Sequence, residues 1–149
     1  VKYSLKNDGL LLINEYVGPN RFQYTKEQLD ESNQILKKIP KKFKKRWNSK
    51  IIKTKIYKPG ILRMILADPS EAINSESIIP TLNNMFDLVE EKPYGGNLLH
   101  LILKDISHHF IDNHSETTEL LNYLFEQEDK FIKKYKVSDF IFCIYKNNN

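Results

Sequence analysis

An unbroken apolar run, Leu10-Leu11-Leu12-Ile13, constrains the fold of this chain more than any other feature of its sequence. A short apolar run without alternation is typical of a β-strand buried on both faces, as in a parallel sheet that helices cover. The turn Lys6-Asn7-Asp8-Gly9 precedes the run, and polar Asn14-Glu15-Tyr16 follows it before Gly18-Pro19 ends the strand. Open α/β sheets bind ligands at the carboxyl ends of their buried strands. The sequence therefore predicts an α/β fold with a ligand site at this strand end.

Two further segments predict strands. Phe86–Lys92 alternates weakly in hydropathy and ends at a second loop, Pro93-Tyr94-Gly95-Gly96. Asp139–Tyr145 is rich in aromatic and β-branched residues, which favours a buried strand near the end of the chain. Three strands are too few for a doubly wound sheet with both faces covered, so the sequence predicts part of one.

About six helices are predicted between and beside these strands. Thr25 and Gln28 have capping-box spacing, which predicts a helix that begins near Lys26 and ends before Pro40. Residues 51–66 leave helix and loop open. The other predictions are a lysine-rich helix containing Phe43 and Trp47, short helices after Asp68-Pro69 and after Ser75, a helix over Leu98–Phe110, and a long helix from Ser115 to about Tyr135.

Composition excludes several classes of protein. The chain has 149 residues, 40% hydrophobic and 28% charged, so it is neither fibrous nor wholly disordered. It has no apolar run near the ~18–20 residues of a membrane span and no signal peptide at its start. Its one cysteine, Cys143, excludes an internal disulfide framework, and apolar neighbours predict a buried side chain rather than a nucleophile. We therefore expect a cytoplasmic protein.

Positive charge is concentrated in one segment of the chain. Residues 37–58 contain 11 of the 23 basic residues and no acidic residue, whereas elsewhere 12 basic residues face 19 acidic ones. One hypothesis is a non-enzymatic binding module, in which the basic helix 37–58 binds nucleic acid or an anionic surface and Phe43 and Trp47 stack on bases. The simpler interpretation, which we favour, is a solvated helix face whose two aromatic residues pack inward.

A metal site is considered and not predicted. Asp105, His109 and Asp112 fall at i, i+4 and i+7, so on one helix they would share a face. This spacing matches no established ligand motif, and exposed polar residues explain it more simply.

The stretch from Leu5 to Pro19 resembles class I S-adenosylmethionine-dependent methyltransferases. In that family a Leu-Lys-x-Gly-Gly turn precedes the fifth strand of a seven-stranded sheet, and here Asp8 stands at the first glycine. The resemblance implies one unit over residues 1–149, namely the C-terminal part of a Rossmann-like seven-stranded methyltransferase sheet (strands five to seven) with a helical lid insertion over residues 20–66. The likeness continues through Arg21-Phe22-Gln23-Tyr24-Thr25, Asp68-Pro69-Ser70-Glu71-Ala72 and Pro93-Tyr94-Gly95-Gly96-Asn97-Leu98-Leu99-His100.

The glycines of the chain do not match the cofactor-binding part of that family. The family binds S-adenosyl-L-methionine through a glycine-rich turn after its first strand, and here no two glycines have G-x-G spacing. The resemblance therefore implies the substrate-side half of a methyltransferase, without cofactor-binding residues. Such a chain is expected to be inactive in isolation and to bind the cofactor weakly or not at all.

By position, the resemblance also implies residues that approach a methyl acceptor. A strand-end hydrogen-bond network is the alternative role for Glu15 and Tyr16, and a packed ring is the favoured interpretation of His100. The implied substrate-binding residues are Asn14, Tyr16, Arg21, Gln23 and Tyr94, and the implied catalytic bases are Glu15 and His100.

The partners follow from the same reasoning. We expect a small-molecule methyl acceptor, and either a second copy of the chain or a missing N-terminal half. Half a sheet has an unpaired strand edge and exposed apolar surface, which favour association. Nucleic acid is not favoured as a partner.

Overall fold

The computed structural model describes residues 4–147, which divide into two compact units. The first unit takes the described residues up to Gln23, Pro59–Tyr94 and those from Ser138 on, and the second takes Tyr24–Lys58 and Gly95–Val137. The elements in chain order are β1 (Leu10–Tyr16), α1 (Lys26–Lys38), α2 (Ile61–Ala67), α3 (Ile78–Asn83), β2 (Asp87–Gly95), α4 (Leu99–Leu103), α5 (Ser115–Tyr135) and β3 (Phe140–Lys146). Short 3₁₀ turns occupy Asn20–Phe22, Lys41–Lys44, Ser75–Ser77 and Ser107–Phe110.

The strands of the first unit form one antiparallel sheet in the order β1-β3-β2. The predicted mixed α/β character is confirmed; what the structure shows is this three-stranded sheet. β1 pairs with β3 in the antiparallel sense from Leu10 opposite Lys146 to Tyr16 opposite Phe140. The central strand β3 thus connects the other two.

One face of this sheet carries the core of the first unit. Ile141, Cys143 and Tyr145 alternate along β3 and are almost fully buried, together with Phe86. Their partners on β1 at these positions include Leu11 and Ile13, which pack against the same cluster. The alternation places every second residue of β1 and β3 in this core, as the period of a strand requires.

The opposite face of β1 is exposed. Leu10 is 53% exposed and Leu12 is 58% exposed, although both belong to the apolar run. The expectation that β1 is buried on both faces is therefore wrong within the described residues. The parallel arrangement is likewise wrong for β1, whose described neighbour β3 runs antiparallel to it.

The second unit is helical. The predicted capping box at the start of α1 is confirmed, since the Thr25 hydroxyl accepts from the Gln28 amide and the Gln28 side chain accepts from the Thr25 amide. α5 covers the residues predicted for the long helix, Ser115–Tyr135. The fully buried apolar side chains of this unit are Leu36, Ile39, Leu98, Ile102, Ile106, Leu124 and Phe131.

A buried carboxylate on α5 holds the start of α4. Glu128 is 3% exposed, and its Oε1 accepts from the Asn97 amide at 2.8 Å and the Asn97 side chain at 3.0 Å. Its Oε2 accepts from the amides of Leu98 at 2.8 Å and Leu99 at 2.9 Å. Gly95 lies against the same carboxyl with φ +95°, and a Cβ there would lie 2.8 Å from Oε1. Only glycine allows this close approach.

A buried lysine closes the other end of α4. Lys53 Nζ donates to the carbonyls of Leu101 at 2.7 Å, Ile102 at 3.0 Å and Lys104 at 2.6 Å. These are carbonyls that the helix itself leaves without intrahelical partners. Burial lowers the pKa of Lys53 to about 8, with Asp105 opposing the shift. This one cation of the basic segment is thus part of the core.

Three helix predictions are wrong. The lysine-rich segment forms only a 3₁₀ turn at Lys41–Lys44 and then extends, with a bridge between Lys45 and Ile52. No helix begins at Asp68-Pro69; the nearest helix, α2, ends just before that pair. The helix predicted over Leu98–Phe110 is interrupted after α4, where Asp105 has φ 69°.

None of the described helices combines the length and apolar character that crossing a membrane requires.

Glu128→Gln tests the anchoring of α4. An amide offers one acceptor oxygen and turns an NH₂ group toward buried amides, so we expect the free energy of unfolding to fall by about 3 kcal/mol. Urea denaturation measures this. The control is Glu126→Gln on the same helix, whose exposed pair with Lys130 predicts a change of about 0.5 kcal/mol or less. Equal losses in the two variants would contradict the anchoring role.

Candidate functional site

The carboxyl end of β1 opens onto a cavity of about 360 Å³ in the first unit. Glu15 and Tyr16 supply the strand side of this cavity, and Phe22 lies on the turn that follows. The opposite wall is the loop between α2 and α3 together with the first residue of α3. Its lining residues are Ser70, Glu71, Ala72, Ile73, Asn74, Ser75 and Ile78.

Aromatic contacts hold Tyr16 at the mouth of the cavity. Its ring meets that of Phe22 edge-on at 4.7 Å between centroids, and that of Phe140 at 5.3 Å. The Tyr16 hydroxyl donates to the Pro19 carbonyl at 3.0 Å. This phenol therefore stabilises the turn after β1, as the strand-end alternative predicts.

The turn after β1 is bonded to the far wall. The buried Ser75 hydroxyl donates to the Gly18 carbonyl at 2.7 Å, and the Glu76 amide donates to Asn20 Oδ1 at 3.1 Å. A Cβ on Gly18 would lie 2.5 Å from the Asp139 carboxyl carbon, so glycine is required for space. These contacts fix the width of the cavity.

Arg21 positions the wall. The residue has φ 55°, and its amide donates to the Ala72 carbonyl at 2.6 Å. Its guanidinium donates to the carbonyls of Pro69 at 2.7 Å, Glu71 at 3.1 Å and Asp68 at 3.4 Å. All of these acceptors belong to the loop between α2 and α3. The geometry thus assigns Arg21 to holding this loop, and its guanidinium is engaged by backbone oxygens.

Asn14 and Tyr94 form a separate pair on the exposed face of the sheet. The Tyr94 hydroxyl donates to Asn14 Oδ1 at 2.6 Å, and its ring lies 6.0 Å from that of Phe140. The two residues come from β1 and β2, so the structure brings together two of the residues that the resemblance implies. Neither lines the cavity.

The remaining implied residues have different surroundings. Gln23 Nε2 donates to the carbonyls of Arg21 and Pro59, both at 3.0 Å, and so ties the turn after β1 to the start of the next segment. His100 belongs to the second unit, on α4, with its ring edge-on to that of Tyr24 at 6.4 Å. Glu15 is exposed and is the one implied base that lines the cavity.

Charge in the cavity is negative. Glu15 and Glu71 contribute carboxylates, and the lining contains no lysine or arginine. Next to the lining, hydrogen bonds from Ser70 and the nearby Arg21 lower the pKa of Asp68. Such a site suits a neutral or cationic polar ligand, because an anion would meet carboxylates without a compensating cation.

Sequence reasoning missed the far wall of the cavity. Asp68-Pro69-Ser70-Glu71 has the residues of a helix start, but the chain turns there and Ala72 has φ 47°. The resemblance to methyltransferases covers Asp68-Pro69-Ser70-Glu71-Ala72 but implied no site residue there. The contacts of this loop with the turn after β1 are made through Arg21 and Ser75, which lie 50 and 57 residues from their partners along the chain.

Comparison with known proteins assigns no function to the chain. No family model, curated protein or solved structure matches the chain.

Two other candidate residue groups from the sequence are located in the structure. Asp105 and His109 do not share one continuous helix, and residues 4–147 contain no group of three potential ligands placed to hold a metal ion. Cys143 is fully buried in the core of the first unit, and burial raises the pKa of its thiol. Both facts disfavour a nucleophilic role for this cysteine.

Arg21→Ala tests the role of the guanidinium. The loop loses three side-chain hydrogen bonds, so we expect amide exchange over Ser70–Ile73 to accelerate roughly tenfold. Hydrogen–deuterium exchange measures this directly. Arg63→Ala, an exposed arginine of α2, is the matched control and should leave the rates unchanged. Unchanged exchange in Arg21→Ala would show that the loop is held by other contacts.

Proposed function

We propose that this chain forms the substrate-side part of a class I S-adenosylmethionine-dependent methyltransferase, with the methyl acceptor bound at the carboxyl end of β1. The observation that carries the proposal is the cavity at that strand end, lined by Glu15 and Tyr16. Open α/β sheets with parallel strands place their ligands at the carboxyl ends of those strands, and the resemblance implies the same position for the methyl acceptor. The residues that bind the cofactor lie outside those described.

The resemblance implies that β1, β2 and β3 correspond to strands five, six and seven of the family's sheet. In this chain β3 is central and runs antiparallel to β1. Three strands are a small part of a sheet, so the cavity and the resemblance carry the proposal together.

The lining of the cavity indicates the class of acceptor. Two carboxylates and the hydroxyl of Ser70 favour an amine or a hydroxyl compound over a phosphorylated one. An N–H or O–H of such an acceptor donates to the Glu15 carboxylate. This hydrogen bond orients the lone pair of the acceptor, and the carboxylate takes up the acceptor's proton when the methyl group is transferred. Glu15 is thus the proposed catalytic base, and Tyr16 and Phe22 form the walls beside it.

The described residues do not fit the cofactor itself. Gly95-Gly96 before α4 is the one place where glycines with positive φ lead into a described helix. There the amides of Asn97, Leu98 and Leu99 already donate to the buried Glu128 carboxylate, so no ligand can take them. The proposal therefore assigns no cofactor contact to this loop.

Glu15→Gln tests the proposed base. The longest polypeptide that carries this chain is incubated with methyl-labelled S-adenosylmethionine and a mixture of small amines and polyols. We expect transfer of label, and a rate roughly a hundredfold lower in Glu15→Gln because the amide cannot take up a proton. Glu91→Gln, an exposed carboxylate of β2, should retain the full rate. The absence of transfer by the unmodified protein would contradict the proposal.

Calorimetric titration of the 149-residue chain with S-adenosylhomocysteine separates the two parts of the proposal. We expect no saturable binding. Tight, stoichiometric binding would contradict the claim that the cofactor contacts lie elsewhere, even if methyl transfer is observed.

A further inference from the structure

The basic segment of the second unit folds into a hairpin that presents a tryptophan at its tip. The Lys53 amide donates to the Lys44 carbonyl at 2.7 Å, and the Arg46 amide donates to the Ile51 carbonyl at 2.9 Å. Asn48, with φ 47°, turns the chain between these two paired segments. We call Lys44–Lys53 the basic hairpin.

Two large apolar side chains are exposed at the tip of the basic hairpin. Trp47 is 70% exposed and Ile51 is 61% exposed. The sequence-based interpretation, in which this aromatic residue packs inward, is wrong for Trp47, whereas Phe43 is buried as expected. Both side chains thus expose apolar surface that does not contribute to the core of the unit.

The basic hairpin is anchored to other segments of the second unit, so Trp47 and Ile51 are exposed on a backbone that hydrogen bonds hold in place. The Trp47 amide donates to the Asp105 carbonyl at 2.8 Å, and its ring meets that of His108 edge-on at 5.0 Å. At the base of the hairpin, Lys53 is buried against the end of α4. These contacts hold the tip in place without covering it.

The charge around the tip is positive. Lys45 and Lys50 flank Trp47 and Ile51, and within residues 4–147 neither forms an ion pair. The two basic-segment side chains that do pair, Lys42 with Glu116 and Arg46 with Asp105, leave the rest of this segment uncompensated. A surface of this kind is complementary to a dense array of negative charge.

We propose that the tip of the basic hairpin docks on an anionic lipid bilayer. Trp47 and Ile51 insert at the boundary between headgroups and acyl chains, and Lys45 and Lys50 contact the anionic headgroups. The aliphatic Ile51 favours lipid over nucleic acid, because an isoleucine gains from apolar insertion but does not stack on bases. This inference is independent of the proposed methyl transfer.

Trp47 is the single tryptophan of the chain, so its fluorescence reports on the tip alone. The 149-residue chain is titrated with phosphatidylcholine vesicles, with and without phosphatidylserine. We expect a blue shift and saturable binding only with phosphatidylserine, and weaker binding at high salt. Binding to both kinds of vesicle alike, or to neither, would overturn the proposal.

Matched variants separate the tip from general surface properties. Lys45→Glu/Lys50→Glu should weaken binding roughly tenfold or more, whereas Lys130→Glu/Lys133→Glu on α5 makes the same change in net charge and should have little effect. Ile51→Ser should weaken binding, and Ile111→Ser, at a position 84% exposed in the same unit, should not. Equal losses in test and control variants would contradict docking through the tip.

Single-stranded polyuridylate tests the competing partner. We expect no saturable change in Trp47 emission with this RNA. Quenching by the RNA in the absence of vesicle binding would overturn the lipid proposal in favour of nucleic acid.

Discussion

The antiparallel pairing of β1 with β3 is the constraint on which the first unit depends. It joins a strand near the start of the chain to one near its end, from Leu10 opposite Lys146 to Tyr16 opposite Phe140. Because side chains alternate along a strand, this register places Leu11 and Ile13 in the core with Cys143. A shift of one residue would move them to the exposed face and place Leu12 and Asn14 in the core instead.

The same pairing determines where the candidate site lies. Beyond Ile13 the strand is polar, and Glu15 lies at the end of the core-facing row, where it lines the cavity. Asn14 has the opposite orientation and meets Tyr94. The register thus places Glu15 and Asn14 on opposite faces of the sheet, and Tyr16, the residue after Glu15, also lines the cavity.

Local sequence signals predicted the local elements well. Thr25 and Gln28 marked the start of α1 because both partners of a capping box lie within one turn. The apolar stripe of α5 likewise required no knowledge of the rest of the chain. Predictions were wrong where distant residues decide the backbone. A lysine-rich helix was predicted where the chain forms a hairpin. Two contacts hold this hairpin to residues about 50 or more positions away, namely those of Lys53 with the Leu101 carbonyl and of Trp47 with the Asp105 carbonyl.

The site shows the same division. Glu15 and Tyr16 were named as site residues because they follow an apolar strand; both line the cavity, and their roles stay a prediction. Arg21 was assigned to substrate, but its guanidinium bonds to a loop 47 to 50 residues away, which no local pattern reveals. The anchoring of Leu98 by Glu128, across 30 residues, was equally invisible.

The proposed function makes one central structural claim, which is that β1 lies in the interior of a larger sheet. The Val17 amide bonds to Asp139 and the Asn147 amide to Gly9, so the even-numbered amides of Leu12 and Asn14 point to the open edge. No charged residue protects this edge between Leu10 and Ile13, as an edge strand usually requires.

Amide exchange of Leu12 and Asn14 tests the claim most directly. It is measured in the 149-residue chain and in the longest polypeptide that its gene encodes. We expect fast exchange in the chain alone and roughly hundredfold slower exchange in the longer polypeptide. Equal rates in both would show that β1 is an edge strand in the whole protein, and would contradict the proposed sheet.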